Sequence, residues 1–320
     1  MLEGFSRIDF VAKKGKGKIP CYKANEKEKD IFKCIELNKK QIDNHLLEYG
    51  GILLRNFDIR AVSEFNKLAN IISPNLLDYV NRSTPRTKLG GKIYTATEYP
   101  ADRSIPFHNE NSYTLEWPNK ILFFSVIAAE EGGETAIADS RHVYNSIDMN
   151  IINKFNEKKV LYVRNYTEGI DLSWQEVFQR DDKKEVEQYC KNHLINYEWK
   201  TGDVVLTTKQ ICQATIKHPL TQENVWFNQA HLFHISALQA QDRKELIGLL
   251  GKDKFPRNAY YGDGSEIEEE SLEAIRQAYE QERIEFIWQK GDVMILDNRL
   301  MAHSRNPFKG NRKVVVAMGD

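Results

Sequence analysis

Ile121-Leu122-Phe123-Phe124-Ser125-Val126-Ile127-Ala128-Ala129 is the longest apolar run in the chain. Its nine residues, Ser125 among them, are fewer than half of the roughly 20 that a membrane-crossing helix needs. With turn residues on both sides, the run reads instead as a buried strand. Nine further short segments share its β-branched or aromatic texture, at 92–97, 135–138, 160–165, 195–199, 204–208, 224–228, 284–288, 293–296 and 312–318. Helical patterns interrupt them at 141–154, 182–192, 236–250 and 266–282, without strict strand–helix alternation. That order argues against a doubly wound parallel sheet and for a mainly β fold, an antiparallel sandwich or barrel with helices around it. Upstream, the spacing predicts a helix over 26–49 stopped by Gly50-Gly51, a strand over 52–57, a helix over 61–72 and a polar loop over 81–91.

The 320 residues carry 45 Lys+Arg against 46 Asp+Glu, a net charge of -1, which argues against a dedicated nucleic-acid binder. Length alone suggests two domains, but no Pro-, Gly- or Ser-rich linker divides the chain. The expectation is one domain over 26–320 behind an N-terminal extension, 1–25, whose Lys13, Lys14, Lys16 and Lys18 precede no signal-peptide core. Cys21, Cys34, Cys190 and Cys212 form no C-x-x-C pair, which favours a reducing cytoplasm, and the shortness of the longest apolar run leads to the expectation of no membrane association. The acidic cluster at Glu266, Glu268, Glu269 and Glu270 reads as a solvated helix face.

The chemistry is concentrated in Ser104-Ile105-Pro106-Phe107-His108-Asn109-Glu110-Asn111-Ser112-Tyr113. In an extended chain His108 and Glu110 project from one face and can reach one metal ion. A lone H-x-E is common, and it gains weight from His303, which follows a strand-like run and precedes the turn-rich 304–310. Two histidines and one carboxylate form the set that selects non-haem Fe(II) and leaves positions open for co-substrate and dioxygen. Nine residues beyond His303, Arg312 opens a strand and shares the face of Val314 and Val316, so a buried guanidinium requires an anion there. His231 and His234 form a rival pair with no carboxylate within four residues, and His45, His142, His193 and His218 read as surface or capping residues.

Four ordered segments, from His108 to Pro118, Glu131-Gly132-Gly133-Glu134-Thr135-Ala136-Ile137-Ala138-Asp139-Ser140, Val225-Trp226-Phe227-Asn228-Gln229, and Asp297 through His303 to Arg312, resemble the TauD/TfdA family of Fe(II)/2-oxoglutarate-dependent dioxygenases. The likeness is to its clavaminate-synthase-like and syringomycin-biosynthesis-like members and covers about residues 45–320. It implies a double-stranded β-helix (jelly roll), an iron triad of His108, Glu110 and His303, and 2-oxoglutarate held by Thr135 and Arg312. It also implies that 2-oxoglutarate and O2 are consumed, with succinate and carbon dioxide released as a substrate C–H bond is oxidised. Related halogenases lack the carboxylate ligand, so Glu110 favours hydroxylation, with desaturation or cyclisation as alternatives; a non-catalytic small-molecule-binding jelly roll is the alternative from another class, against which the intact His108, Glu110, His303 and Arg312 argue. Some members carry a substrate-binding arginine four residues after the 2-oxoglutarate one, where this chain has Val316. The implied substrate is an amino acid or a derivative, free or tethered to a carrier protein. Candidate contacts are Asn109, Asn111, Ser112, Arg164, Phe227 and Asn228, with core packing the favoured reading of Trp226 and of Phe227. The loop 81–91 and the segment 165–174 are the expected lids.

Overall fold

The computed structural model describes residues 5–11, 17–24, 29–81, 83–202, 204–251 and 254–320. Lys13, Lys14, Lys16 and the expected first turn of the N-terminal helix lie outside these residues. Within them an eight-stranded sheet runs in the order Phe5–Val11, Ile19–Ala24, Gly51–Arg55, Val293–Asp297, Lys120–Ile127, Lys313–Gly319, Ile93–Thr95, Lys88–Gly90. A smaller sheet, Arg283–Ile284, Ile137–Asp139, Met301–Arg305, Ile105–His108, belongs to a second layer. Strand alternation builds the layers: Ile121 and Phe123 pack with Met294, Val314 and Val316 of the large sheet and Ile137, Ile284 and Met301 of the small one. Leu122 and Phe124 project the other way, under Cys34, Ile35, Leu46, Phe65 and Leu68 of helices Ile31–Tyr49 and Val62–Ile72.

The far side of the small sheet is closed by a third core. There Phe107, Ala138 and Ala302 meet Tyr162 and Ala259 of the four-stranded sheet Asn196–Trp199, Val204–Cys212, Val160–Thr167, Arg257–Tyr261, together with Ile275 and Tyr279 of helix Glu269–Gln281. The mainly β architecture with surrounding helices thus stands, as facing sheets rather than a closed barrel.

Several boundaries differ from the sequence expectation, each for a local reason. The helix expected over 141–154 is two, Ser140–Ser146 and Met149–Lys158, because the Asp148 carboxylate accepts from Asn150 N and starts a new helix. Strand pairing after Trp199 and beyond Ile284 follows tertiary partners: Val204–Cys212 runs four residues longer than expected, whereas past Ile284 the chain leaves the sheet. Residues 19–24, placed in the extension, form a strand parallel to Gly51–Arg55 inside the large sheet. The acidic cluster is split: Glu268, Glu269 and Glu270 stand at the start of Glu269–Gln281, and Glu268 and Glu269 bridge to Lys154 and Arg243.

Candidate metal and co-substrate site

His108 ends the edge strand of the small sheet, and His303 lies in the middle of its neighbour, where the two are register partners. Their rings stand 4.3 Å apart between centroids, and Phe123 of the facing sheet lies 5.1 Å from the His303 ring. Met301–Arg305 contains no β-branched residue, so nothing in its composition marks it as a strand, yet all five residues are buried. Glu110 does not continue the His108 strand, as the alternation argument expected, but sits in the turn beyond it, just before Asn111 at φ 57. Asn298 brings it back: its Oδ1 accepts from Glu110 N at 2.7 Å, and its Nδ2 donates to Glu110 O and Pro118 O. Asn109 Nδ2 reciprocates to Asn298 O at 2.7 Å and to Ser140 Oγ. Among the described residues, His108, Glu110 and His303 form a cluster whose ligand atoms all lie within 4.8 Å of one another.

Two observations show that these side chains suit a divalent metal. Burial holds the His108 imidazole below its ordinary pKa and His303 well below it, so both rings are neutral and keep a lone pair for coordination. The His108 Nδ1–H donates to Pro106 O at 2.8 Å, which leaves Nε2 as the ligand atom. Glu110 supplies the negative charge and carries a buried ion pair to Arg86 at 2.8 Å.

The anion cradle lies on the same side. Arg312 does not open its strand, which begins at Lys313 with a register shift, so the expected alternation with Val314 does not place it. Instead its Nε donates to Gly133 O at 2.8 Å and its Nη2 to Thr135 Oγ1 at 3.3 Å. Gly133 has φ +70, and a Cβ there would stand 2.9 Å from Arg312 Cδ, so this position needs glycine twice over. Burial, and then Arg305 nearby, bring the Arg312 guanidinium down to about 10. A cation so destabilised is a receptor for a carboxylate. Thr135 Oγ1 also accepts from Trp288 Nε1 at 3.1 Å, which turns its own hydrogen outward as a donor. Thr135, Arg312, His108 and His303 border one narrow cavity.

A second cavity of about 460 Å³ opens on His108 and Glu110 and falls in the range of small-molecule sites. Its walls come from both loops that the sequence flagged, through Ser83 to Arg86 and through Ile170 and Asp171, and from Phe233, Phe255 and Arg257. None of the six candidate substrate residues lines it. Asn109 and Ser112 brace the Glu110 turn, and Phe227 packs with Val225 and Leu300. Asn228 accepts from Ala230 N, and Arg164 donates to Asn81 Oδ1. Asn111 borders a separate groove of about 760 Å³ that contains none of the metal or anion residues. Trp226 is core, as read.

The rival pair is also accounted for. His231 Nε2 donates to Phe107 O at 2.9 Å, His234 Nδ1 caps Ser236, and burial lowers their pKa values to about 3 and about 4. His218, read as surface or capping, caps Thr221 N but is buried against Asp297. Arg86 and Trp288 carried no motif signal, and Asn298 lay within a family segment without a role of its own, since each acquires its role through a partner far away in sequence.

Comparison with known proteins identifies the family and the fold. Residues 20–318 match the profile of the "Taurine catabolism dioxygenase TauD, TfdA family". The dapdiamide synthesis protein DdaC of Enterobacter agglomerans is 46% identical over 279 residues, 87% of this chain and 84% of that one. A clavaminate synthase-like protein of Arabidopsis thaliana is 30% identical over 294 residues, 89% and 86% of the two chains. Among solved structures, PvcB, described as an Fe, alpha-ketoglutarate dependent oxygenase from an isonitrile synthetic pathway, superposes with a TM-score of 0.54 at 11% identity, covering 97% of this chain and 90% of that chain. AAD-2 in complex with Mn(II) and N-oxalylglycine gives 0.53 at 13%, covering 98% and 96%.

Proposed function

Because the chain belongs to the TauD, TfdA dioxygenase family, we propose that it hydroxylates an unactivated C–H bond of an amino acid or amino-acid-derived substrate in a biosynthetic pathway of the cytoplasm. The protein is an Fe(II)/2-oxoglutarate-dependent oxygenase. The observation that carries the finer reading is the triad with its carboxylate present, Glu110 beside His108 and His303, directly between an anion cradle and a small-molecule cavity. A relative named for dapdiamide synthesis supports a biosynthetic setting, and four buried cysteines that form no disulfide suit a reducing compartment.

In this reading His108, Glu110 and His303 hold the iron, and Arg312 with Thr135 takes the distal carboxylate of 2-oxoglutarate. Iron with 2-oxoglutarate and dioxygen supplies the oxidising power, at the cost of turning the 2-oxo acid into succinate and carbon dioxide. The chain's own residues do the rest. Phe123 packs on the His303 ring and fixes its plane. The Asn109–Asn298 bracket keeps the Glu110 carboxylate turned inward. The apolar wall of Phe233 and Phe255 keeps water from the target carbon. Arg257 and Asp171 stand together in that wall, bridged at 2.6 Å and each about a quarter exposed. Such a pair offers complementary charges to an ammonium and a carboxylate, which fits an amino-acid headgroup.

The test is an anaerobic titration with Fe(II) and then 2-oxoglutarate, followed through the weak visible charge-transfer band. Succinate release is then screened over free amino acids, their amides and carrier-protein-tethered forms. A product heavier by one oxygen supports the proposal. Loss of two hydrogens reassigns the outcome to desaturation or ring closure, and a chlorinated product overturns the reading.

A further inference from the structure

Gln229 ends the segment Val225-Trp226-Phe227-Asn228-Gln229 and leads into the short helix Ala230–Phe233. It is 2% exposed, and all but one of its polar groups are already bonded. Its N–H donates to the Tyr162 hydroxyl at 2.7 Å, its carbonyl accepts from Leu232 N and Phe233 N, and its Nε2 donates to Asn109 O at 2.8 Å. Asn109 stands in sequence between His108 and Glu110, and its carbonyl can only accept, so this bond fixes which end of the Gln229 amide faces it. Oε1 is left over. Among the described residues no donor bonds to it, yet the atom is not sealed in the interior, and Gln229 lines the cavity of about 460 Å³ that opens on His108 and Glu110.

An acceptor held this firmly in a buried wall costs free energy unless the occupant of the cavity donates to it. The kind of donor follows from the charges around it. The carboxylates that line the cavity are Glu110, paired with Arg86 at 2.8 Å, and Asp171, bridged to Arg257. The second of these pairs, with Arg257 over the Phe233 ring at 5.7 Å, suits the two charges of an amino-acid headgroup. Gln229 is neutral and tied to the turn that carries the metal ligands, where an ammonium would face a divalent ion, so a neutral N–H is the matching donor. Resting on the oxygenase reading above, we propose that Gln229 Oε1 accepts a hydrogen bond from an amide N–H in the side chain of the substrate and so presents the carbon beside that amide to the metal. The substrate class is then an amino acid with a carboxamide or an acylated amine in its side chain, anchored by its headgroup at Arg257 and Asp171. Gln229 is a substrate-binding residue that sets which carbon is attacked, and its bond to Asn109 O ties its position to that of the ligands.

The experiment measures kcat/KM from succinate release by the full-length, Fe(II)-loaded protein on matched probes. The pairs are the β-methylamide and β-methyl ester of aspartate, the γ-methylamide and γ-methyl ester of glutamate, and Nγ-acetyl-diaminobutyrate against O-acetyl-homoserine. In each pair an ester oxygen replaces the amide N–H at nearly constant shape. Wild type should favour the amide by about tenfold or more, because the ester sets a lone pair against Oε1. In Gln229→Met, which keeps the length of the side chain without the acceptor, the preference should shrink to within about twofold. Loss of a residue that only braced Asn109 would lower both members of a pair equally and leave their ratio unchanged. That result overturns the proposal, as does equal turnover of amide and ester by wild type, the outcome expected if water satisfies Oε1. Should Gln229→Met fail to fold, Gln229→Leu carries the same expectation. Turnover of no pair, with the charge-transfer band of Fe(II) and 2-oxoglutarate present, overturns the proposal and leaves the oxygenase reading standing. Absence of the band takes that reading down as well.

Discussion

The two sides of the site are built differently. On the metal and anion side, the ligands come from paired strands and a turn held by buried amides: His303 faces His108 in register, and Asn298 returns three bonds to Glu110 and Pro118. On the substrate side, the cavity is walled by loops and by helix Ala240–Leu250, which has no buried residue and leaves Leu249 75% exposed. The first is a rigid frame that fixes reacting groups, and the second is a loosely packed wall that can be rebuilt without disturbing the frame. The fold is shared with solved structures at 11–13% identity, and the contrast predicts that substrate choice is set at the wall.

The contrast can be broken at its strongest point first. Glu110→Ala should lower 2-oxoglutarate turnover about a thousandfold and remove the charge-transfer band, while secondary structure by circular dichroism is kept. Retained turnover would show that the frame is not the chemical centre. Arg312→Gln should raise the KM for 2-oxoglutarate about a hundredfold and leave Mn(II) binding in place, since the bidentate cation is lost but the triad is intact. Asn298→Ala should cost about 2–3 kcal/mol in urea unfolding, because Glu110 N, Glu110 O and Pro118 O lose their partner together. A loss under 0.5 kcal/mol would mean that the bracket is not what holds the turn.

A pH series sharpens the same distinction. His231 is buried and neutral, with its pKa lowered to about 3 against an ordinary value near 6.5. A depressed histidine lends stability that is present above about pH 6.5 and lost as pH falls toward about 3, with a slope of at most about 1.4 kcal/mol per unit. Urea midpoints of wild type should fall between pH 7.5 and 5, and His231→Gln should flatten that fall. An unchanged slope would place the acid sensitivity elsewhere. The smallest effect belongs to the wall: Leu246→Ala should shift stability by less than about 0.5 kcal/mol while altering the substrate KM, and a large loss of stability would put helix Ala240–Leu250 in the frame.

What the sequence made legible follows the same division. His108, Glu110, His303 and Arg312 could be picked out because their chemistry is unusual in strand-like surroundings, Thr135 only through the family resemblance, and the structure gathers all five. The route by which they meet was less visible. The His303 strand lacks β-branched residues and is imposed by pairing on both sides, and Glu110 owes its orientation to Asn298. Of the six substrate candidates, Asn109, Asn111 and Ser112 flank the ligands in sequence, Arg164 stands on an expected strand, and Phe227 and Asn228 rest on the family resemblance. Closeness in sequence made Asn109 and Ser112 braces of the turn, while the cavity drew on Asp171, Phe233, Phe255 and Arg257. Such walls arise from loops that converge in space, and single-sequence periodicity carries no trace of that convergence.

The register pairing of His108 with His303 has a consequence for how the enzyme matures. The two ligands are separated by more than half the chain, and the His303 strand pairs only with strands far upstream among the described residues, Ile105–His108 and Ile137–Asp139. A chain that lacks Met301–Arg305 lacks His303 and cannot assemble the proposed three-ligand site, so tight metal binding is expected only of the folded chain that carries this strand.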